Sequence, residues 1–173
     1  MTHIDKQHID YTLYLVTDRS VMSAKSLEQA VEQAIQGGCT VVQLREKNIT
    51  SREFFETAQR IKQITDFYHI PLIINDRTDI CLAVNAAGIH VGQQDLPAKV
   101  VRSIVGPDKI IGVSAATLSE AMQAEQDGAD YLGVGAMFAT STKTNTRPVT
   151  VEQLVQIKQA VQIPVVAIGG IQS

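Results

Sequence analysis

Seven short apolar runs recur along this chain, and segments with the pattern of capped helices separate them. The runs are Leu13–Val16, Val41–Leu44, Leu72–Ile74, Gly88–Val91, Ile110–Val113, Tyr131–Val134 and Val165–Ile168. Short, nearly all-apolar runs are expected of parallel strands whose two faces are both covered. Because strand and helix alternate, the sequence predicts right-handed βαβ units and one parallel sheet, the α/β class.

The segments between the runs begin and end with residues that suit helix termini. Four pairs fit the capping-box pattern: Ser26 with Gln29, Thr50 with Glu53, Thr117 with Glu120, and Thr150 with Gln153. Gly37, Gly106 and Gly128 follow the first, fourth and fifth helical segments, where a glycine commonly ends a helix. Asp95 lies just before Leu96-Pro97, and one interpretation of this residue is the N-cap of the fourth helix.

The spacing of the runs limits which parallel fold is possible. The first run centres near residue 14 and the seventh near residue 166, so each unit takes about 25 residues. Eight such units would need roughly 200 residues, the lower end of the range for (β/α)8 TIM barrels, whereas this chain has 173. We expect one domain over residues 1–173. It would be either a seven-stranded open sheet or a barrel that ends after strand seven, without the last helix, strand and helix.

Composition excludes several function classes. With 15 Lys+Arg against 18 Asp+Glu the net charge is −3, which argues against nucleic acid as a partner. No apolar stretch reaches the roughly 20 residues of a membrane span, and we expect no export signal and no membrane partner. Cys39 and Cys81 are the only cysteines, too few for a disulfide scaffold. They predict reduced thiols in a cytoplasmic protein.

Polar residues follow the carboxyl end of each predicted strand. They are Thr17-Asp18-Arg19, Arg45-Glu46-Lys47, Asn75-Asp76-Arg77, Gln93-Gln94-Asp95, Ser114, the loop from Gly135 to Lys143, and Gly169-Gly170. In a closed parallel barrel all of these lie at one rim, where the active sites of this fold occur. The opposite connections carry no comparable cluster. The rim is therefore the predicted site.

The residue types at this rim suit phosphorylated ligands and a metal. Asp76 and Asp95 would repel each other by about 4 kcal/mol at a separation of about 4 Å and an effective dielectric of 20. A divalent cation with oxygen ligands, of which Mg²⁺ with a diphosphate is the usual case, resolves that repulsion. Arg45, Lys47 and Lys143 supply positive charge for the same diphosphate.

A second anion site is predicted later in the chain. Thr140, Ser141 and Thr142 offer hydroxyl donors, and Gly169-Gly170 allows backbone N–H groups to approach a phosphate closely. Two anion sites and a metal imply two phosphorylated ligands or one large one. Each motif also has a structural interpretation: Arg45-Glu46-Lys47 as a self-paired surface loop, Thr140–Lys143 as a polar surface loop, and His90 as a satisfied strand histidine.

At these residues the sequence strongly resembles the thiamine-phosphate synthase family. The matching segments are Leu13–Arg19, Val42–Lys47, Ile74–Arg77, Gly88–Gln93 with Asp95, Ile111–Ser114, Gly128–Tyr131, Thr140–Lys143 and Ala167–Ile171. The resemblance runs in order from Tyr11 onward. It implies a (β/α)8 barrel that joins a pyrimidine diphosphate to a thiazole phosphate carboxylate and releases diphosphate and CO₂.

The resemblance also implies a role for each matching residue. Gln43, Leu44, Arg45, Glu46, Lys47 and Asn75 would bind the hydroxymethylpyrimidine diphosphate, and Ser114 and Lys143 would contact the pyrimidine substrate. Thr140, Ser141, Thr142 and Gly170 would hold the thiazole phosphate. Asp76 and Asp95 would hold Mg²⁺, and Arg45, Lys47 and Lys143 would be the catalytic cations.

Two other functions stay open on the sequence. The missing last unit would remove part of the thiazole-phosphate site, which leaves a non-catalytic ligand-binding remnant as one alternative. A related thiazole tautomerase is the other, although Asp76, Asp95 and Lys143 argue against it because a tautomerase has no diphosphate to neutralise. The expected partners are small-molecule substrates, and a homodimer is an open possibility.

Overall fold

The computed structural model of the protein describes residues 6–138 and 147–171. After a short 3₁₀ helix at Lys6–His8, strands and helices alternate along these residues. The strands are β1 (Tyr14–Val16), β2 (Val41–Leu44), β3 (Leu72–Asn75), β4 (Gly88–Val91), β5 (Ile110–Ala115), β6 (Tyr131–Val134) and β7 (Val165–Ala167). The helices are α1 (Leu27–Gln36), α2 (Ser51–Phe67), α3 (Thr78–Ala83), α4 (Ala98–Val105), α5 (Leu118–Gln126) and α6 (Val151–Ala160).

The chain divides into two compact units. The first comprises Met1–His90 with Asp108–Ile110, and the second comprises Val91–Pro107 with Ile111–Ser173. In the first unit, β1 to β4 pair in chain order, and every pair is parallel. Val16 lies opposite Gln43, and Asn75 lies opposite His90. This register brings the carboxyl ends of β1, β2 and β3 to one edge of the unit.

The second unit repeats the pattern with β5, β6 and β7. These strands are also parallel and pair in chain order, with Ser114 opposite Gly133 and Val134 opposite Ala167. Gly112 is required here by packing, since a Cβ on it would lie 2.1 Å from the ring of Tyr131. The strand alternation predicted from the apolar runs is therefore confirmed in each unit.

Aliphatic side chains fill the interior. Every residue of β2, β4 and β6 is buried. Val41, Val42, Ile73 and Ile74 have no exposed surface in the first unit. Burying one such side chain contributes about 2 kcal/mol. The prediction of strands covered on both faces is therefore confirmed for β2, β4 and β6, whereas β1 and β7 are partly exposed.

The predicted capping boxes are confirmed in full for two helices and in part for two. At Thr50 and Thr150 both reciprocal bonds form, the hydroxyl accepting from the third residue and that residue's side chain accepting from the cap N–H. Ser26 and Thr117 accept the first bond only. The side chains of Gln29 and Glu120 accept instead from the N–H one residue before the cap, which still satisfies a backbone donor near the helix start.

Candidate active site

A cavity of about 270 Å³ opens at the carboxyl ends of β2 and β3 in the first unit. Its lining comprises Glu46, Lys47, Asn48, Ile49, Phe54, Asn75, Asp76 and Arg77. Four of these residues carry charge, two of each sign, around the apolar side chains of Ile49 and Phe54. The lining therefore offers both charged and apolar contacts to a ligand.

Lys47 and Asp76 form the central ion pair of this cavity. The ammonium Nζ of Lys47 donates to Oδ2 of Asp76 at 2.5 Å, and Nδ2 of Asn75 donates to Oδ1 at 2.7 Å. The Lys47 side chain is half exposed and that of Asp76 is about one quarter exposed. Since a half-exposed lysine pair is weak, both groups remain available to a ligand.

The backbone conformation of Asp76 helps to position its carboxylate. Its φ of 62° is left-handed, a region that Asp and Asn occupy more readily than other residues with a side chain. Its N–H donates to the carbonyl of His90 at 2.9 Å, so the chain turns immediately after β3. The carboxylate is thus directed by a backbone turn that suits aspartate.

Two residues that follow β1 contact Arg45: Thr17 at its backbone and Asp18 at its side chain. The hydroxyl Oγ1 of Thr17 accepts from the N–H of Arg45 at 2.9 Å and donates to its carbonyl at 3.3 Å. A carboxylate oxygen of Asp18 lies 3.5 Å from Nη1 of Arg45. The pKa of Asp18 is lowered, mainly because the Ser20 hydroxyl donates to its carboxylate, so Asp18 is anionic beside this guanidinium.

Glu46 is a buried carboxylate, only 3% exposed, that pairs with Arg19. Nε and Nη2 of Arg19 both donate to Oε1 at 2.8 Å. A buried charge needs such a partner. The interpretation of Arg45-Glu46-Lys47 as a self-paired surface loop is therefore wrong. Arg45 and Glu46 pair with Asp18 and Arg19 after β1, and Lys47 pairs with Asp76 after β3.

The remaining predicted residues of this unit are buried and serve its packing or its hydrogen bonds. Gln43 donates from Nε2 to the Tyr14 hydroxyl at 2.9 Å, and Leu44 has no exposed surface. His90 is buried in β4, and its carbonyl accepts from Asp76 and, at 3.4 Å, from Asn75. The interpretation of His90 as a strand histidine agrees with this position.

Asp95 lies in the second unit, in the turn that follows β4. Its carboxylate accepts from the N–H of Gly92 at 2.7 Å. The helix α4 begins at Ala98 with Pro97 in the cap position, so the interpretation of Asp95 as that helix's N-cap is wrong. Within β5, near its end, the carbonyl of Ser114 accepts from Nε2 of Gln93 at 2.8 Å, which joins this turn to that strand.

Backbone hydrogen bonds join the ends of β6 and β7. The N–H of Met137 donates to the carbonyl of Ile168, and that of Phe138 to the carbonyl of Gly169, both at 3.0 Å. Gly169 and Gly170 have φ values of 103° and 63°. A Cβ on Gly169 would lie 2.7 Å from Cα of Ala136, so this position requires glycine.

Four predicted site residues fall outside the described part of the chain: Thr140, Ser141, Thr142 and Lys143. Arg147 follows that segment, and its Nη2 donates to Glu120 at 2.8 Å. Asp76 belongs to the first unit and Asp95 to the second, and their pairing around a metal stays a prediction. Within residues 6–138 and 147–171, no group of three or more His, Cys, Asp or Glu side chains is arranged to hold a metal ion.

Both cysteines are free and buried. Burial raises the pKa of the Cys39 thiol, and it raises that of Cys81 to about 11. Since the thiolate is the reactive form, neither is a nucleophile at neutral pH. This agrees with the prediction of reduced core thiols. No helix in the described residues is long and apolar enough to cross a membrane.

Several residues at the ends of the strands received no role from the sequence. Arg77 donates to Asp79 from Nε at 2.8 Å and to the Ser51 hydroxyl at 3.0 Å, which joins the starts of α2 and α3. Thr17, Asp18 and Arg19 were placed at the rim but were not assigned to the site. The signal that could have found Asp18 and Arg19 is the opposite order of charge in Asp18-Arg19 and Arg45-Glu46, which follow the neighbouring strands β1 and β2.

Comparison with solved structures establishes the class of protein. A thiamine phosphate pyrophosphorylase from Pyrococcus furiosus superposes with a TM-score of 0.84 at 42% identity, covering 92% of this chain and 75% of that one. An N-acetylmannosamine-6-phosphate 2-epimerase from Clostridium perfringens superposes with a TM-score of 0.70 over 97% of this chain and 80% of its own, at 17% identity, which shows the fold alone. The predicted class, an α/β barrel of the TIM type, is confirmed.

Sequence comparison then gives the family. A family model described as thiamine monophosphate synthase matches residues 13–173. A thiamine-phosphate synthase of Ruminiclostridium cellulolyticum is 62% identical over 168 residues, 97% of this chain and 80% of that protein. One of Clostridium tetani is 60% identical over 165 residues, 95% and 79% of the two chains. This chain belongs to the thiamine monophosphate synthase family.

The predicted activity follows from that membership. The relatives carry the name of an enzyme that makes thiamine phosphate, so the prediction of a transferase of thiamine biosynthesis is confirmed. An enzyme of this family acts on small molecules, as predicted.

Proposed function

We propose that this enzyme condenses hydroxymethylpyrimidine diphosphate with thiazole phosphate carboxylate, and that Mg²⁺ assists a dissociative substitution at the pyrimidine methylene carbon. One observation carries the proposal. In a chain 62% identical to a thiamine-phosphate synthase, Lys47 after β2 lines one cavity with Asn75, Asp76 and Arg77 at the end of β3. A diphosphate needs that combination of cations and amide donors.

Arg45 and Lys47 are proposed to bind the diphosphate of the pyrimidine substrate. Arg45 offers a planar fork that matches phosphate oxygens, and Lys47 offers a compact charge. In the structure Lys47 is paired with Asp76 and is half exposed, so its ammonium can leave that carboxylate for a phosphate at small cost. Gln43 and Asn75 are proposed to add amide donors, and Glu46 to shape the cavity wall. Leu44, wholly buried, would contribute through packing.

Asp76 and Asp95 are proposed as the two protein ligands of Mg²⁺. The fit rests on the donors: the Asp76 carboxylate already attracts a cation, the Lys47 ammonium at 2.5 Å. Mg²⁺ commonly uses one or two carboxylates and takes its other ligands from water and substrate phosphates, so two aspartates suffice. The bound ion would neutralise charge on the departing diphosphate.

The chain is proposed to supply electrostatics and positioning rather than a nucleophile or a general base. Charge develops on the diphosphate as its C–O bond breaks, and fixed cations such as Arg45, Lys47 and Lys143 stabilise it without reorganising. The thiazole nitrogen then attacks the methylene carbon, and loss of the thiazole carboxylate as CO₂ completes thiamine phosphate. Holding the two reactants together contributes several kcal/mol, since well-oriented reactions gain up to about 7–11 kcal/mol.

The second anion site is proposed for the thiazole phosphate. Thr140, Ser141 and Thr142 would donate from their hydroxyls, and Gly170 would donate from its backbone N–H. The left-handed φ of Gly170 supports this role because successive backbone donors in such conformations form anion-binding concavities. Ser114 and Lys143 are proposed to contact the pyrimidine substrate.

We propose a cytoplasmic location, which the two free buried thiols support. A homodimer and a single barrel domain over residues 1–173 are proposed on the resemblance alone.

The test is product formation by the purified chain. Incubation with both substrates and Mg²⁺ should release diphosphate and produce thiamine phosphate, and chelation with EDTA should stop both. Omission of the thiazole phosphate serves as the control for simple hydrolysis. Binding of the pyrimidine diphosphate by calorimetry without turnover would contradict the proposed reaction and favour the binding remnant.

A further inference from the structure

Three consecutive residues that follow β1 each contact the segment that follows β2. Thr17 bonds to the backbone of Arg45, Asp18 lies beside its guanidinium, and Arg19 pairs with Glu46. None of the three has a role in the proposed reaction. Because they face the residue proposed to bind the diphosphate, their contribution is to hold that residue in place.

The Thr17 hydroxyl takes the place of one backbone acceptor in the β1–β2 ladder. Its own N–H donates to the carbonyl of Gln43 at 3.0 Å, as a parallel ladder requires. The next bond of such a ladder would run from the N–H of Arg45 to the carbonyl of Thr17. Instead that N–H donates to the Thr17 hydroxyl at 2.9 Å. The hydroxyl also donates to the Arg45 carbonyl at 3.3 Å, so one buried side chain bonds both backbone groups of Arg45.

Asp18 adds a second contact at the far end of the Arg45 side chain. One carboxylate oxygen of Asp18 accepts from the N–H and the hydroxyl of Ser20 at 2.8 and 2.6 Å. The other oxygen lies 3.5 Å from Nη1 of Arg45. The Asp18 and Arg45 side chains are only 13% and 18% exposed. The carboxylate is therefore fixed by its own turn and directs the guanidinium.

We propose that Thr17 is a positioning residue for Arg45 in pyrimidine-diphosphate binding, with Asp18 as its second contact. The inference rests on the proposed function, in which Arg45 binds the diphosphate. Loss of the Thr17 hydroxyl would leave the N–H and the carbonyl of Arg45 without this partner, and the backbone would shift to restore hydrogen bonds. A small displacement of a substrate-binding group is enough to weaken binding strongly.

The test compares two substitutions of Thr17 with one at a distant threonine. Thr17→Val keeps the shape and removes the hydroxyl, and Thr17→Ser keeps the hydroxyl. Thr65→Val is the matched control, because Thr65 is equally buried in α2 and its hydroxyl donates to the Lys62 carbonyl at 3.1 Å. We expect Thr17→Val to raise the KM for pyrimidine diphosphate about tenfold and to leave the KM for thiazole phosphate unchanged. Thr17→Ser and Thr65→Val should stay within about twofold of the parent for both substrates.

A double-mutant cycle with Arg45→Ala separates this inference from the proposed function. Arg45→Ala alone should raise the KM for pyrimidine diphosphate at least about tenfold, and adding Thr17→Val should then change it less than about twofold. If Arg45→Ala has its effect but Thr17→Val is silent, or alters both substrates equally, the positioning role is overturned alone. If Arg45→Ala has no effect, the proposed role of Arg45 fails and the inference falls with it.

Discussion

The two units arrange the ends of their strands by different means. In the first unit the segments after β1, β2 and β3 are joined by charged side chains, as in the Lys47–Asp76 and Arg19–Glu46 pairs. In the second unit the described segments after β6 and β7 are joined by backbone bonds from Met137 and Phe138 to Ile168 and Gly169. Ion pairs therefore connect the strand ends of the first unit, and backbone hydrogen bonds connect those of the second.

The difference matches the two ligands of the proposed reaction. The pyrimidine substrate carries a diphosphate that departs with increased charge, so cations and a metal-binding carboxylate suit the first region. The thiazole phosphate stays attached throughout, so backbone and hydroxyl donors that hold it without polarising it suit the second. Substitutions of charge in the first region should therefore affect turnover and salt dependence. Substitutions that change the backbone conformation of the second region should affect the binding of the thiazole phosphate alone.

The largest effect is expected at Asp76. Asp76→Asn should lower Mg²⁺-dependent diphosphate release by about a hundredfold, because it removes a proposed metal ligand. The left-handed backbone of residue 76 suits Asn, so the fold should be spared. Asp76→Ala should lose the same activity and in addition about 1 kcal/mol of unfolding free energy, since alanine is strained at that φ.

Release assays over a range of Mg²⁺ concentrations and thermal denaturation measure these two effects. Asp66→Asn is the control, because Asp66 pairs with Lys62 on the exposed side of α2. Its activity should equal that of the parent. Full activity of Asp76→Asn at low Mg²⁺ would contradict Asp76 as a metal ligand. It would also contradict the assignment of the charged first region to the diphosphate.

A smaller effect is expected at Lys47. Lys47→Ala should raise the KM for pyrimidine diphosphate about tenfold and flatten its dependence on ionic strength, since exposed charges are screened by salt. The unfolding free energy should change by less than about 1 kcal/mol, because the Lys47–Asp76 pair is half exposed. Steady-state kinetics at low and high salt measure the KM.

Lys62→Ala is the matched control for Lys47, since it removes a lysine that also pairs with an aspartate but lies on α2. It should leave both KM values and their salt dependence unchanged. Equal behaviour of the two variants would mean that Lys47 is a surface pair and not a substrate contact.

Much of the fold was predictable because most strands are buried on both faces, with β2, β4 and β6 buried along their whole length. The bounds of Val41–Leu44, Gly88–Val91 and Tyr131–Val134 agree with the apolar runs, since each run is nearly all apolar and is followed by polar residues or glycine. The first turn of a helix was predicted less well. At Glu120 the side chain reached the N–H of Ala116 instead of the cap, and both choices satisfy one donor at similar cost.

The partners within the site were not predictable from local sequence. Thr17 and Arg45 are 28 residues apart, and their contact depends on the β1–β2 register, which places Val16 opposite Gln43. Asp95 shows the same limit: its carboxylate accepts from Gly92 although the sequence also suited a helix cap. Residue types indicate the chemistry of a rim, whereas register decides which groups meet.

The smallest effect is expected at Gly170, and it sharpens the comparison from the second unit. Gly170→Ala should raise the KM for thiazole phosphate several-fold and leave that for pyrimidine diphosphate unchanged, because a Cβ at a φ of 63° distorts the proposed backbone donor. The strain should cost about 1 kcal/mol of unfolding free energy. Gly128→Ala, at a φ of 89° just after α5 with open space around it, should cost a similar free energy and change neither KM. If both variants affect both substrates equally, the second region contributes stability alone and its distinction from the charged region is lost.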